Sequence, residues 1–474
     1  MDGLDQGGGV DSAHHYMGAM DEIAFDPASP KAALAQLPQS PAVFALYGAE
    51  AHSEPYIGRT PNLKARLERL LQPSAKHPRR LQLAGRVRRI VWKLTGSEFE
   101  SLLLQFELLQ NQYGTKSPGQ SLERMHLRAP AFVRFLGGNP YPRIAVTHRP
   151  SQREAEWAYG PFASRAAAER YADEALKLFL LRRCSDDLDP NPSHPGCVYS
   201  EMKMCLAPCY KGCTDERYGE EAAAVEGFLA TRGESRLVTL RTERDRASAD
   251  LKFEAAAALH AQVQRAESVR ALASELVRPL NRLRAVVLQA SANPDEVAVF
   301  LFENGRLRGP AGFSTLGMRI QNEQSGSTSL FAQPLAVEPI PEAEPIEQSA
   351  QKTGLPPQGC QGTTSVVPQM EKNESGALAP EGVVSAPFAK IARGMLEARM
   401  EAALGSLADP SGAPSSTVRQ AHLALLKRWY YRPEARRTGE IFFPDAEDRW
   451  PIKAILRGAG RVFANKFKSA DPGS

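Results

Sequence analysis

Hydrophobic and polar positions change period repeatedly along this chain, and each change outlines an element. Two short apolar runs, Ala42–Tyr47 and Pro55–Ile57, flank the polar, glycine-containing segment Gly48–Glu54 and predict a pair of strands. Beyond Gly58, Thr60 reads as a helix cap with Pro61 at the first helical position. This predicts a helix over Pro61–Leu71 with Lys64 and Arg66 in its first two turns. Pro73–Pro78 breaks that helix. Arg89–Leu94 then alternates like a strand, and Ser97 opens a helix through SEFESLLLQFELLQNQ, with Glu98 and Glu100 enriching its first turn.

Further along, residues 130–183 read as a connecting α/β segment. Tyr141–Thr147 suits a strand, Tyr159–Phe162 a turn, and Ala166–Leu181 an amphipathic helix. Thr214–Thr231 and Ser235–Val277 are helical in pattern. Ala285–Leu288, Val297–Phe302 and Arg306–Gly309 read as strands, the last two joined by the turn signal Asn304-Gly305. Gln321–Pro387 is rich in Gln, Glu, Ser, Gly and Pro and predicts a disordered linker. Phe388–Ala403 and Thr417–Tyr431 suit helices, Glu440–Phe443 a short strand, and a basic helix runs to about Lys468.

The predicted class is α+β and multidomain. A disordered tail occupies 1–30, a small α/β domain 35–125, a connecting segment with clustered cysteines 130–215, and a helical segment 216–280. A short β segment follows at 281–318, then the linker at 319–387 and a small C-terminal helical domain at 388–468.

Composition adds little until its distribution is considered. Of 474 residues 42% are hydrophobic, enough for sizeable cores, and a formal charge of +4 names no partner. From Arg59 to Lys93, however, eleven Lys or Arg face the single acid Glu68, with Arg79-Arg80 and Arg88-Arg89 as adjacent pairs. A solvated surface would intersperse opposing carboxylates, so this run reads as a track for a phosphate backbone. The first thirty residues carry six acids and no Lys or Arg, unlike a secretory leader, and no apolar run approaches membrane-spanning length. A cytoplasmic protein without a membrane partner is expected.

The strand ending Tyr56-Ile57-Gly58 runs into a basic helix and sets a phenol beside cations, an arrangement suited to a phosphodiester. Together with Asn62, Leu63 and Arg66 at their spacing, these residues resemble the GIY-YIG nuclease fold, in the version that opens UvrC-type excinuclease subunits. Ala42-Val43-Phe44 stands where that family has Gly-Val-Tyr, so Phe44 lacks the usual hydroxyl. Arg59 replaces the usual Lys after the YIG glycine. The resemblance implies catalytic roles for Tyr56, Arg66 and Arg59, and DNA contacts from Arg59, Lys64, Arg66, Arg69, Arg79, Arg80, Arg88 and Arg89. It also implies a Mg²⁺ or Mn²⁺ ion held by an acidic residue on the following helix, and that position here is Gln105. A neutral amide is a weak ligand for a hard cation. Glu107 and Glu100 lie about 200° and about 140° around the helix from Gln105, so neither shares its face.

Five of six cysteines fall between 184 and 213. Cys184, Cys197, Cys205 and Cys209 are separated by twelve, seven and three residues, and such clustering in a cytoplasmic protein argues for metal ligation rather than disulfides. All-thiolate ligation suits Zn²⁺ or an iron–sulfur cluster. Cys205-Leu206-Ala207-Pro208-Cys209 is similar to the C-L-A-P-C signature of the same family, which implies a 4Fe–4S cluster ahead of zinc. Cys213 has no counterpart there. The Y-G-P-F at 159–162 and the Leu-Arg-Arg-Cys ending at Cys184 resemble the family as well.

The stretch from Ala247 to Val263 resembles the UVR motif, a helical hairpin through which such subunits dock on a UvrB-like protein. Leu251 and Phe253 are expected to bury in its bend, and Ala256, Ala257, Leu259 and Val263 to line the apolar face of the second arm; Glu254 and Gln262 complete the implied partner surface. His260-Ala261 replaces the usual Arg-Asp. Beyond the β segment that family carries an RNase H-like nuclease domain, whose Asp-rich pattern is not legible here. The cationic and aromatic run Lys427–Arg432 could stack on unpaired bases or form the rim of a small core. The sequence as a whole therefore resembles a DNA-repair protein of the excision type with a half-present nuclease centre. The competing reading is a non-catalytic DNA-binding adaptor.

Overall fold

A computed structural model describes residues 20–50, 53–72, 83–114, 120–151, 153–185, 187–315, 386–408 and 414–470. Contacts divide the chain into one unit of 1–317 with 395–474 and a second of 318–394. The linker expected at 319–387 lies almost wholly outside the described residues, as do Arg79 and Arg80.

The N-terminal portion is built around an antiparallel sheet. Its strands are β1 (Asp21–Ala24), β2 (Ala42–Gly48), β3 (Tyr56–Thr60) and β4 (Val87–Leu94), in the order β1-β4-β2-β3. Residues 21–24 therefore do not belong to a disordered tail. Ile23 pairs with Ile90, and Phe25 behind it is 2% exposed, so the apolar residues of this acidic stretch close the sheet edge. Helices α1 (Pro30–Ala35) and α2 (Leu63–Leu71) cover one face, where Leu34, Leu63, Leu67 and Leu71 pack on Phe44 and Leu46. Helix α3 (Glu98–Tyr113) covers the other, with Leu104 and Leu108 against Val43 and Ile57. The short α4 (Gln120–Arg124) follows.

The middle portion contains β5 (Ala131–Phe135), β6 (Ile144–Thr147), β7 (Ala158–Phe162) and, after the helices, β8 (Arg278–Pro279), in the order β6-β5-β7-β8. Tyr159–Phe162 is thus strand rather than turn: all of Ala158–Phe162 is buried, as suits a central strand covered on both faces. Helix α5 (Arg165–Leu176) packs on this sheet, the short α6 (Val198–Glu201) lies in the cysteine region, and α7 (Asp215–Ala230) closes the core through Tyr218, Val225 and Phe228. Helices α8 (Glu234–Ala249) and α9 (Phe253–Ala271) form an antiparallel hairpin joined by Leu237, Leu240, Val263 and Ala266.

A third sheet joins two distant parts of the chain. The meander β9 (Ala285–Ala290), β10 (Glu296–Glu303) and β11 (Arg306–Ser314) accepts β12 (Glu440–Phe442) beside β9, in the order β11-β10-β9-β12. Between them run α10 (Ala386–Leu407) and α11 (Ser416–Tyr430), and α12 (Ile452–Ala470) follows. The residues read as helical after 388 thus also complete a sheet begun before the linker. Asn304 and Gly305 both adopt positive φ, 52° and 78°, as the predicted tight turn requires.

Helix α3 is buried on two sides and sends apolar side chains to both. Opposite its contacts with β2 and β3, Phe99 meets Phe300 edge-on at 5.1 Å and Trp429 at 5.3 Å, and Phe106 meets His422 at 5.2 Å. At its N-terminus a Cβ on Gly96 would fall 2.1 Å from the Ser291 backbone, so only glycine lets these layers approach. Among the described residues no helix is long and apolar enough to cross a membrane.

Candidate functional site

The hairpin β2–β3 pairs Phe44 directly with Gly58. A Cβ at Gly58 would sit 2.9 Å from the tip of the Phe44 ring, so the glycine of Tyr-Ile-Gly is the floor on which that ring lies. Phe44 is fully buried, 6.1 Å from the Tyr56 ring between centroids, and has become packing beneath the phenol. Tyr56 is half-buried, and its hydroxyl accepts a hydrogen bond from Arg66 Nη2 at 3.3 Å.

Local chemistry fixes that pair. The helix cap is Asn62 rather than Thr60: Asn62 Oδ1 accepts from the Ala65 N–H at 2.9 Å, and α2 begins at Leu63. Thr60 ends β3, and its hydroxyl donates to the Asn62 carbonyl at 2.9 Å, which folds Pro61 into the turn before the helix. Strand, turn and cap together hold Arg66 against Tyr56.

Of the other basic residues assigned to a DNA track, Lys64 is half-buried, while Arg69 and Arg88 are exposed and bond backbone carbonyls. Arg89 lies over the Tyr47 ring at 4.4 Å and pairs with Glu22 at 3.0 Å.

Arg59 points to a feature that the sequence reading missed. Its Nη1 donates to Glu98 Oε1 at 3.2 Å, and Arg432 donates to both oxygens of the same carboxylate at 2.6 and 2.7 Å. The hydrogen-bonded Arg432 guanidinium holds the Glu98 carboxyl below the usual carboxylate range. Trp429, by contrast, is 2% exposed and donates to the Thr438 carbonyl at 2.9 Å. Tyr431 donates to the Pro161 carbonyl at 2.9 Å, and burial pushes its phenol up to about 12. Lys427–Arg432 is therefore the rim of a core, not a base-stacking platform.

The metal position assigned to Gln105 is half-buried on α3. Glu100 is spent locally, its Oε2 accepting from the Gly96 N–H at 2.8 Å. Burial pushes the Glu107 carboxyl up to about 8, with Lys93 and Arg306 acting in opposition, and its Oε2 has no hydrogen-bond partner. A carboxyl that is neutral at pH 7 is a poor ligand for a hard cation. Among the described residues no three His, Cys, Asp or Glu converge to hold a single metal ion. The donor set around Gln105 does not fit Mg²⁺ or Mn²⁺.

The cysteines behave differently. Cys184, Cys197, Cys205 and Cys209 all line one open cavity, walled also by Arg182, Tyr199 and Pro208. Arg182 Nη1 donates to Cys184 Sγ at 3.4 Å, and the Asn191 N–H donates to the Cys209 carbonyl at 2.9 Å. Lys203, Ala207 and Lys211 each adopt positive φ between 52° and 59°, a conformation that costs a non-glycine residue roughly 1–2 kcal/mol. Burial raises the thiols of Cys205 and Cys209, and the charges of the other cysteines add to the shift. None of the four is in a disulfide. By their chemistry four thiols lining one cavity are a donor set for a thiolate-bound metal centre, although among the described residues no three of them lie close enough together to hold a single ion. Cys213 does not line the cavity and packs against the neighbouring core.

In the α8–α9 hairpin, Val263 is buried and Ala256 and Leu259 half-buried against α8, whereas Ala257, Glu254 and Gln262 are exposed. Leu251 and Phe253 do not bury in the bend; they are 71% and 68% exposed. The Lys252 N–H bonds the Ala247 carbonyl at 2.9 Å, and this reversal puts Leu251 at φ 57° at the tip.

These geometries define a class: a mixed helix-and-sheet protein with a hairpin that sets a phenol beside a guanidinium and with four cysteines on one cavity. Residues 132–228, which carry that cavity, match the family model of the UvrC/Cho excinuclease middle domain. The UvrABC system protein C of Alcanivorax borkumensis is 31% identical over 241 residues, 51% of this chain and 39% of that protein. Those of Aliivibrio fischeri and Ruminiclostridium cellulolyticum are each 29% identical, over 49% and 58% of this chain and 37% and 44% of their own lengths. The matched stretch thus spans less than half the length of these relatives, and no solved structure matches. Over about half its length the chain is UvrC-like.

Proposed function

We propose that this chain is a UvrC-like protein of nucleotide excision repair that binds DNA across its hairpin domain and docks on a UvrB-like partner. The observation that carries this reading is the excinuclease middle domain with its four thiols on one cavity. Tyr56 and Arg66, held together at 3.3 Å, supply a neutral donor and a cation for one phosphodiester, and Lys64, Arg69 and Arg88 extend the positive surface. The exposed Leu251 and Phe253 support partner docking, since two large apolar side chains exposed together at a hairpin tip make a patch that a partner would cover. Cys184, Cys197, Cys205 and Cys209 would hold a 4Fe–4S cluster, with zinc as the alternative. Such a group bound there would brace the loops between Cys184 and Cys209.

A second reading, incision by the hairpin domain, is favoured by the retained Tyr56–Arg66 pair; Phe44 and Gln105 oppose it. Nicking of damaged plasmid in Mg²⁺ or Mn²⁺ separates the two. The binding reading expects salt-sensitive DNA association without nicking. Nicking that disappears in Tyr56→Phe would overturn it, and nicking gained only in Gln105→Glu would identify the lost ligand as the cause of inactivity. Anaerobic purification tests the cluster: a brown protein absorbing near about 400 nm is expected, and a colourless protein with stoichiometric zinc would refute it.

A further inference from the structure

The electrostatics around Glu98 are unbalanced. Arg59 from β3 and Arg432 from the segment after α11 both bond this carboxylate. Arg428, one turn earlier on α11, feels the charges of Arg59, Glu98 and Arg432, yet forms no ion pair of its own among the described residues. Two guanidinium groups therefore share one carboxylate with a third nearby, leaving two positive charges in excess. Glu98 is also the first residue of the sixteen-residue α3, so the positive end of that helix dipole falls at the same point. The group is open to solvent: the side chains of Arg59, Glu98 and Arg432 are 30%, 40% and 25% exposed. Clustering like charges costs free energy, and desolvation and the neighbouring arginines together depress the Arg428 guanidinium.

We infer that Arg59, Arg428 and Arg432 form a composite phosphate site that continues the DNA-binding surface from the hairpin domain onto the C-terminal segment. Glu98 occupies it in the free protein. The two-pronged Arg432–Glu98 pair has the fork geometry that guanidinium groups use for phosphate, so a backbone phosphate can replace the carboxylate without moving the arginine. Arg428 is the cation left over to receive the phosphate's other oxygens. Arg59, on the α3 side of β3, thus carries the positive surface from the hairpin domain toward the C-terminal segment. This inference rests on the DNA-binding reading above.

The test measures duplex affinity against salt concentration, together with the thermal shift produced by pyrophosphate, for the full chain and three variants. Each neutralised phosphate contributes a slope of about 0.9 in log affinity against log salt. Arg428→Ala, which breaks no ion pair, is expected to lower the slope by roughly 1, and Arg428→Ala with Arg432→Lys to weaken binding further at an unchanged melting temperature. Glu98→Gln, which removes the competing charge, is expected to tighten DNA binding and to enlarge the pyrophosphate shift; a merely structural Glu98 would do the opposite. Wild-type slope and affinity in Arg428→Ala, or weaker binding in a folded Glu98→Gln, would overturn the site. If the wild type ignores DNA yet keeps a pyrophosphate shift that Arg428→Ala abolishes, the anion site stands and the DNA reading falls. No response to either probe overturns both.

Discussion

The hairpin site and the cysteine cavity have fared differently in the same chain. At the hairpin Phe44 lies opposite Gly58 and Tyr56 is bonded to Arg66, but the position the resemblance assigns to a metal ligand carries Gln105, and the neighbouring Glu107 is pushed up to about 8. At the cavity all four thiols line one space, on loops in which Lys203, Ala207 and Lys211 adopt positive φ. A packed ring tolerates loss of a hydroxyl because packing alone keeps it useful. A four-thiol centre of the kind proposed would have no such fallback, since removing one donor would leave the other three an incomplete ligand set.

That contrast can be broken most directly at the cavity. Cys205→Ser should abolish metal content by elemental analysis and cause the largest fall in thermal stability, whereas Cys213→Ser should leave both unchanged; equal losses from the two would erase the distinction. At the hairpin domain the largest effect should be pH-dependent. The Glu107 carboxyl is raised in the folded state, so its contribution is fully present below the ordinary pKa of 4.5 and is lost as pH rises through about 8. Glu107→Gln should flatten the decline in melting temperature over that window, and an unaltered profile would show that the carboxyl is not buried as described. Gly58→Ala should cost about 1–3 kcal/mol in denaturant unfolding, the usual penalty of overpacking, because the added methyl meets the Phe44 ring. Smallest of all, Tyr56→Phe should cost about 0.5–1.5 kcal/mol, the worth of its hydrogen bond to Arg66. If it matched Gly58→Ala, the phenol rather than the ring packing would be the structural centre of the hairpin.

Much of this was legible in the sequence because the signals are local. A short apolar run predicted β2, alternation predicted β4, the strands of the β9–β11 meander were legible with Asn304-Gly305 marking a turn, and cysteine spacing singled out four side chains that line one cavity. The misses have physical reasons. The strand Asp21–Ala24 hid in an acidic tail because its worth lies in pairing with β4, far along the chain. Thr60 and Asn62 are both good caps, and only the turn geometry chooses between them. Leu251 and Phe253 were expected to be inside because they are apolar, a rule that fails where a surface awaits a partner. The Arg432–Glu98 pair spans 334 residues, and no periodicity encodes it.

The sheet shared by β9 and β12 has a consequence for the chain as a polymer. Because β12, α11 and α12 complete a core whose other strands precede residue 316, covalent continuity through residues 316–385 is not what holds these parts together. A backbone cut introduced there should yield two polypeptides that purify as one particle. The two pieces, expressed separately, should find each other in the manner of a split reporter.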